Sequence, residues 1–288
     1  MYTEHLRIPV GVGALHAERT GRGGPPILLV HGFGTCAFVW RAIAPRLANA
    51  GFTAVAIDLL GHGESDRPDD ASYGLAAQAE YLERALTALR MPAASVVGLD
   101  IGALVALLLA GRRPERVSRL ALISPVDPRD LPGAEIRALQ RMSARAALGA
   151  NALFGASPLL QPLLQGAVAD AAHMPALLQA RYLAPFVGND GVSRLLQLAS
   201  AVDLDEDAGL LLRAVRCPTL LVEGAAVGEP EGDSAATAFL RAELSQASPR
   251  LARAPDAGRL VPEDAPEWLT RALLGWMRDE SGAERMEQ

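Results

Sequence analysis

Lysine is missing altogether: all 27 basic residues of the 288-residue chain are arginine. Against 33 acidic residues they leave a net charge of −6 and a sequence pI near 5.5. Phosphate backbones require a basic surface, so nucleic acid is not an expected partner. The all-arginine habit, with abundant alanine, glycine and proline, reads as coding bias and carries no functional meaning. Cysteine is scarce too. Cys36 and Cys217 are too few and too far apart for a disulfide framework or a metal cluster, so a reducing compartment is the expectation. The most apolar run, Ile101 to Ala110, is about half the length of a membrane span. The opening MYTEHLRIPV has no basic segment followed by an apolar one, so no secretory signal is expected, and the chain is expected to be cytoplasmic and to engage no membrane. Phosphate-cradling and metal-ligating spacings (GxGxxG after a strand, GxxxxGK[ST], HExxH, CxxC) do not occur, and no cofactor or metal is expected.

What is present is globular composition, half apolar and about a fifth charged, in a chain long enough to bury a large core. Short β-branched or leucine-rich runs alternate with stretches of helical period, which predicts an α/β architecture with a parallel sheet. Strands are expected near 4–9, 13–19, 27–31, 53–58, 95–99, 119–124, 218–223 and 249–253, with helices near 37–49, 75–90, 101–111 and 265–278. The run Ile27–Val30 is wholly apolar, as a strand buried on both faces would be. From about Pro128 to Leu212 the rhythm breaks into helical pieces separated by Pro158, Pro162, Pro175 and Pro185, and the strand pattern returns at Cys217. The expected organisation is one α/β domain, 1–127 and 213–288, carrying a helical insertion at 128–212.

The chemistry-bearing motif is Gly98-Leu99-Asp100-Ile101-Gly102, which follows the apolar run Ser95–Val97 and opens a helix. Two glycines around one residue between strand and helix permit a sharp, strained turn that projects the middle side chain from the sheet edge. Three further segments agree with it: His31-Gly32-Phe33-Gly34 after one strand, Asp58-Leu59-Leu60-Gly61-His62-Gly63-Glu64-Ser65 after the next, and Pro114-Glu115-Arg116-Val117 after the elbow helix.

Together these segments resemble the α/β-hydrolase superfamily, and the likeness covers nearly the whole chain apart from the insertion, which would be a cap. The implied fold is a mostly parallel eight-stranded sheet with helices on both faces. The resemblance implies an oxyanion hole from the backbone N–H groups of Phe33 and Ile101, and loop-bracing roles for His31 and His62. An Asp at the elbow resembles the haloalkane dehalogenase and epoxide hydrolase branch, in which the carboxylate forms an ester with carbon and a His-activated water cleaves it.

The remaining machinery departs from that pattern. The acid position after the seventh strand reads Gly224-Ala225-Ala226-Val227, placing Val227 where an Asp is expected. The histidine position after the eighth strand reads Ala257-Gly258-Arg259-Leu260, placing Arg259 there. The five histidines stand at 5, 16, 31, 62 and 173, none near the C-terminus. Arginine is permanently cationic and cannot act as a base. Arg259 and Asp100 are expected to face each other as an ion pair that keeps Asp100 ionised.

The usual halide donors are replaced by Ile101 and Gly34-Thr35. Tyr182 is a candidate donor to an epoxide oxygen and His173 a candidate displaced base, and both are candidate substrate-binding residues of the insertion. Asp127 is expected to be a loop or cap residue, and Glu229, Glu231 and Asp233 to solvate a loop. Three readings stay open. The first is an enzyme using Asp100 and Arg259 for non-covalent acid–base or electrostatic chemistry (cyclisation, elimination, decarboxylation or isomerisation) on a hydrophobic small molecule, in specialised metabolism. The second is an epoxide hydrolase-like catalyst with a displaced base, and the third a pseudoenzyme that binds a small molecule or a partner. Sequence is silent on oligomeric state.

Overall fold

The computed structural model describes residues 2–142, 155–188, 190–204, 208–225 and 232–278. Eight strands form one sheet: β1 Thr3–Pro9, β2 Ala14–Thr20, β3 Pro26–Val30, β4 Thr53–Ile57, β5 Ala94–Leu99, β6 Val117–Ile123, β7 Thr219–Ala225 and β8 Arg250–Pro255, in the spatial order 1-2-4-3-5-6-7-8. The β1–β2 and β2–β4 pairings are antiparallel and the others parallel. The central strands explain themselves. TAVAI of β4 and ASVVGL of β5 are buried at every position, because helices cover both faces of the parallel part and leave no solvent side to alternate with.

Helices follow the expected periods with instructive differences. The stretch 37–49 divides into a 3-10 turn, Ala37–Trp40, and α1 Ala44–Asn49, whose first turn holds Pro45; proline is suited to a helix start and unsuited to a helix interior. Next come α2 Leu75–Ala88 and α3 Ile101–Arg112. Residues 101 to 110 of α3 are all buried, so this helix is apolar around its whole circumference and sits inside the molecule. Between β6 and β7 lie α4 Ala134–Arg141, α5 Ser157–Gln165, α6 Ala176–Leu183, α7 Gly191–Ser200 and α8 Ala208–Ala214, with no strand among the described residues.

Helix α8 straddles the expected boundary at 212. It packs on α3, where a Cβ on Gly111 would lie 2.8 Å from the Leu211 carbonyl oxygen, so it lies in the helical layer of the α/β core. A helix not expected from sequence, α9 Ala235–Glu243, begins at Ser234, whose hydroxyl accepts the Thr237 N–H at 3.2 Å. The short α10 Val261–Asp264 and α11 Pro266–Arg278 close the chain, α11 burying Leu269, Leu273, Trp276 and Met277 along one stripe. Among the described residues no helix is long and apolar enough to cross a membrane.

Strand β3 has β4 on one side and β5 on the other. The chain therefore reverses its direction of sheet growth between β3 and β5, and a crevice opens beyond their carboxyl ends. Gly32 and Phe33 leave β3 there, and Asp100 leaves β5.

Candidate active site

Asp100 sits between β5 and α3 at φ 55° and ψ −122°, a backbone conformation that L-residues rarely occupy. Its N–H is held by the Ile123 carbonyl at 2.9 Å, and its own carbonyl accepts the Ala103 N–H at 3.0 Å. The flanking glycines are required by close backbone approach. A Cβ on Gly98 would lie 2.3 Å from the Gly102 carbonyl oxygen, and one on Gly102 would lie 2.2 Å from that of His31. Gly32 is needed for the same reason, since a Cβ there would lie 2.8 Å from the Asp100 Cβ. The motif thus brings the loop after β3 directly against the elbow side chain.

That contact has a chemical result. The Phe33 N–H donates to Asp100 Oδ2 at 2.9 Å. The amides of Phe33 and Ile101 therefore act on the carboxyl of Asp100 itself, so the expected oxyanion hole is filled by the elbow residue. Burial pushes the Asp100 carboxyl above the usual carboxylate range; the Phe33 and Ile101 amides and the Arg259 charge pull it down without overcoming burial, and Glu135 adds to the upward push.

The expected Asp100–Arg259 ion pair is not formed. Arg259 Nη2 instead meets Glu135 Oε1 at 3.1 Å, with the two side chains 56% and 46% exposed. Both Arg259 and Glu135 line the cavity above Asp100, but a half-solvated guanidinium already engaged by a carboxylate is screened and cannot dominate the charge state of a buried acid. The expectation that the cation keeps Asp100 ionised is corrected accordingly: burial wins.

The cavity is compact, about 110 Å³, and apolar on most sides, with Val126, Ile136, Leu160, Leu163, Leu164 and Leu260 as walls and Gly32, Phe33 and Asp100 as floor. Helices α4 and α5 supply one side of it and the sheet edge the other.

Two candidate residues do not reach this cavity. Tyr182 is fully buried, edge-on to Phe38, with its hydroxyl donating to Glu263 Oε1. Glu263, only 3% exposed at its side chain, is also gripped bidentately by Arg41 at 2.7 Å for both bonds. Tyr182 thus ties α6 to α10 and is not placed to protonate a ligand. His173 is half-exposed, and its Nδ1 lies 2.8 Å from Asp264 Oδ1. The other Asp264 oxygen accepts the Gly258 and Ala169 N–H groups at 2.7 and 2.9 Å. His173 therefore helps to hold the insertion to the β8–α10 loop.

None of the five histidines lines the cavity. His31 Nδ1 lies 2.8 Å from the Gly32 carbonyl oxygen, and its Nε2 accepts the Leu59 N–H at 3.0 Å. Burial pulls both His31 and His62 below the usual imidazole range, His62 to about 3. Each is a neutral brace for backbone.

Val227, Glu229 and Glu231 lie outside the described residues. Asp233 pairs with Arg241 and Arg253, and Asp127 accepts the Arg129 N–H at 2.9 Å as the N-cap of a 3-10 turn. The residues that sequence reasoning missed are Glu135, which reads as an ordinary acidic residue in a first helical turn, and the Arg41–Glu263 pair, whose members stand 222 residues apart.

Sheet order, strained elbow and crevice together define the α/β-hydrolase fold, and the matches to known proteins support the α/β-hydrolase superfamily. The family model described as alpha/beta hydrolase fold matches residues 25–151. An uncharacterized protein of Mycobacterium tuberculosis is 40% identical over 112 residues, which is 39% of this chain and 32% of that protein. A haloalkane dehalogenase of Mesorhizobium japonicum is 35% identical over 122 residues, 42% of this chain and 39% of the enzyme. The matches thus span 32% and 39% of these relatives' length. Among solved structures, Cfl2 from Burkholderia cenocepacia superposes with a TM-score of 0.79 at 26% identity, covering 95% of each chain.

Proposed function

We propose that this chain is an α/β-hydrolase-fold enzyme that has left triad hydrolysis, in which Asp100 acts as a non-covalent acid–base or electrostatic catalyst on a small hydrophobic molecule. One observation carries the reading: the elbow carboxyl stands in an apolar cavity without an imidazole among its described lining residues, and burial favours its protonated form. An acid with a raised pKa can donate a proton and take it back, and the Phe33 N–H stabilises the carboxylate left behind. Proton shuttling of this kind serves cyclisation, elimination, decarboxylation or isomerisation, and none of these consumes the catalyst. The apolar walls supply affinity for a hydrophobic substrate and exclude bulk water, and the small volume suits a small molecule. Arg259 and Glu135 put a charged pair at the cavity wall, where it would orient a polar end of the substrate.

A second reading is favoured by one contact. With Oδ2 held by Phe33, the other oxygen of Asp100 is the one that would attack an epoxide or haloalkane carbon, as in the dehalogenase branch. Cleaving the resulting ester requires an activated water. Tyr182 and His173 are engaged elsewhere, so that task would fall to Glu135, the other carboxylate lining the cavity.

Oxygen-18 separates the two. The protein is incubated in H2(18)O with styrene oxide as probe, and the peptide carrying Asp100 is analysed by mass. The proposed chemistry leaves Asp100 without heavy oxygen. Heavy oxygen in that peptide together with release of diol overturns it in favour of the ester route.

A further inference from the structure

We propose that His5, His16 and Glu18 form a site for a divalent transition-metal ion of the zinc type, at the β1–β2 edge of the sheet. None of the three lines the Asp100 cavity. Register creates the cluster: His5 of β1 stands directly opposite Glu18 of β2, and His16 is two residues before Glu18 on the same face. One ligating atom from each residue lies within 4.8 Å of the others.

The two rings are stacked at a centroid distance of 5.4 Å, with His5 Nδ1 3.1 Å from His16 Nε2. Two imidazole nitrogens at tetrahedral positions around zinc, each about 2.0–2.1 Å from it, are separated by about 3.3 Å, so this pair needs little movement to share an ion.

The surroundings complete the site. His16 is buried, and its Nδ1 lies 2.8 Å from Asp58 Oδ2. Asp58 is itself fixed by the Ala37 and Glu64 N–H groups at 2.6 and 2.9 Å. A carboxylate behind a histidine sets its tautomer, so the Nε2 lone pair points toward His5, the arrangement that raises the basicity of a metal-bound imidazole. Glu18 is half-buried and has neither a hydrogen bond nor an ion pair among the described residues. Its charge is uncompensated where a cation would compensate it.

Glu64 Oε2 lies 3.9 Å from His16 Nε2 and is within reach as a fourth donor. Arg7, paired with His16 in register, is drawn away by Asp66 and the Glu64 carbonyl, so its charge does not occupy the site. His16, Glu18 and Glu64 also line an open cavity of about 270 Å³, which gives water or a small ligand access to a free coordination position. On binding, the proton shared between the two rings leaves to solvent, and the metal takes its place between the nitrogens. Two nitrogens and carboxylate oxygen favour zinc and its neighbours over calcium or magnesium.

The test uses the full chain freed of metal and titrated with Co2+ and then Zn2+, read by visible absorbance and calorimetry. One ion per chain is expected, with Co2+ bands displaced by Zn2+. His5→Ala and Glu18→Gln are both expected to weaken binding at least about tenfold, while His173→Ala binds as the wild type does. His5 is exposed, so its truncation leaves the fold in place, which circular dichroism checks. The proposal is overturned by the lack of saturable binding up to about 100 µM, or by His5→Ala and Glu18→Gln variants that bind as tightly as wild type.

Discussion

Asp100 is asked to be an acid and a structural liability at once. Its carboxyl is pushed upward from the ordinary 3.8 by burial, so folding favours its protonated form. The sign follows directly. Stability contributed by this group is fully present below the unfolded-state value and is lost as pH rises through the folded-state value. Asp100→Asn is therefore expected to melt higher than wild type at neutral pH, with the difference shrinking to nothing below about pH 4. Paired thermal melts across pH 3–8 check this, and a difference independent of pH contradicts it. Arg259 illustrates why its role was only half legible in sequence. Its type at that position rules out a base, but its partner, Glu135, comes from a segment whose approach no spacing reveals.

Among elements, the strand–elbow–helix unit was legible because each of its parts obeys a local rule: an apolar strand, glycines at close contacts, and an apolar helix. Gly102→Ala would drive a Cβ against the backbone oxygens of His31 and Val30, at 2.2 and 2.8 Å, where no flexible side chain can yield. Urea unfolding is expected to register a loss of about 3 kcal/mol or more. Gly275→Ala, on the exposed face of α11 with nothing within 4 Å of the new Cβ, is expected to gain up to about 1 kcal/mol. Equal effects of the two substitutions would contradict the contact argument. Helix α9 escaped notice because its cap, Ser234, ends a polar stretch that reads as loop, and α8 was divided because its neighbour α3 is a tertiary fact. The strands of the sheet were legible to within a residue or two; in the central ones burial on both faces leaves an unbroken apolar run, but the exchange of β3 and β4 in the spatial order cannot be read from chain order.

At the scale of the whole molecule, histidines brace loops and hold the insertion without lining the Asp100 cavity. Buried His31 and His62 are held below the usual imidazole range, so the unfolded chain takes up protons that the folded one refuses. Their contribution is present above pH 6.5 and is lost as pH falls toward about 3, the value for His62. Denaturant midpoints are expected to fall steadily from pH 6.5 downward. A His62→Asn variant that still folds should have a flatter dependence, and an unchanged slope contradicts the assignment.

The insertion is tied to the core through two carboxylates from one short helix, Glu263 to Tyr182 and Asp264 to His173, so the lining of the cavity is anchored on residues outside it. That anchoring is why Tyr182 and His173, reasonable candidates by residue type, are unavailable for chemistry.

The chemistry proposed for Asp100 turns on the charge state of its carboxyl in a cavity without imidazole among its described lining residues. Carbon-13 NMR of protein labelled at aspartate carboxyl carbons, with the Asp100 resonance assigned by its loss in Asp100→Asn, measures that state directly. The predicted titration midpoint lies above 3.8 and stays above it in Arg259→Gln. A midpoint at or below 3.8 in the wild type, rising only when Arg259 is removed, would contradict it.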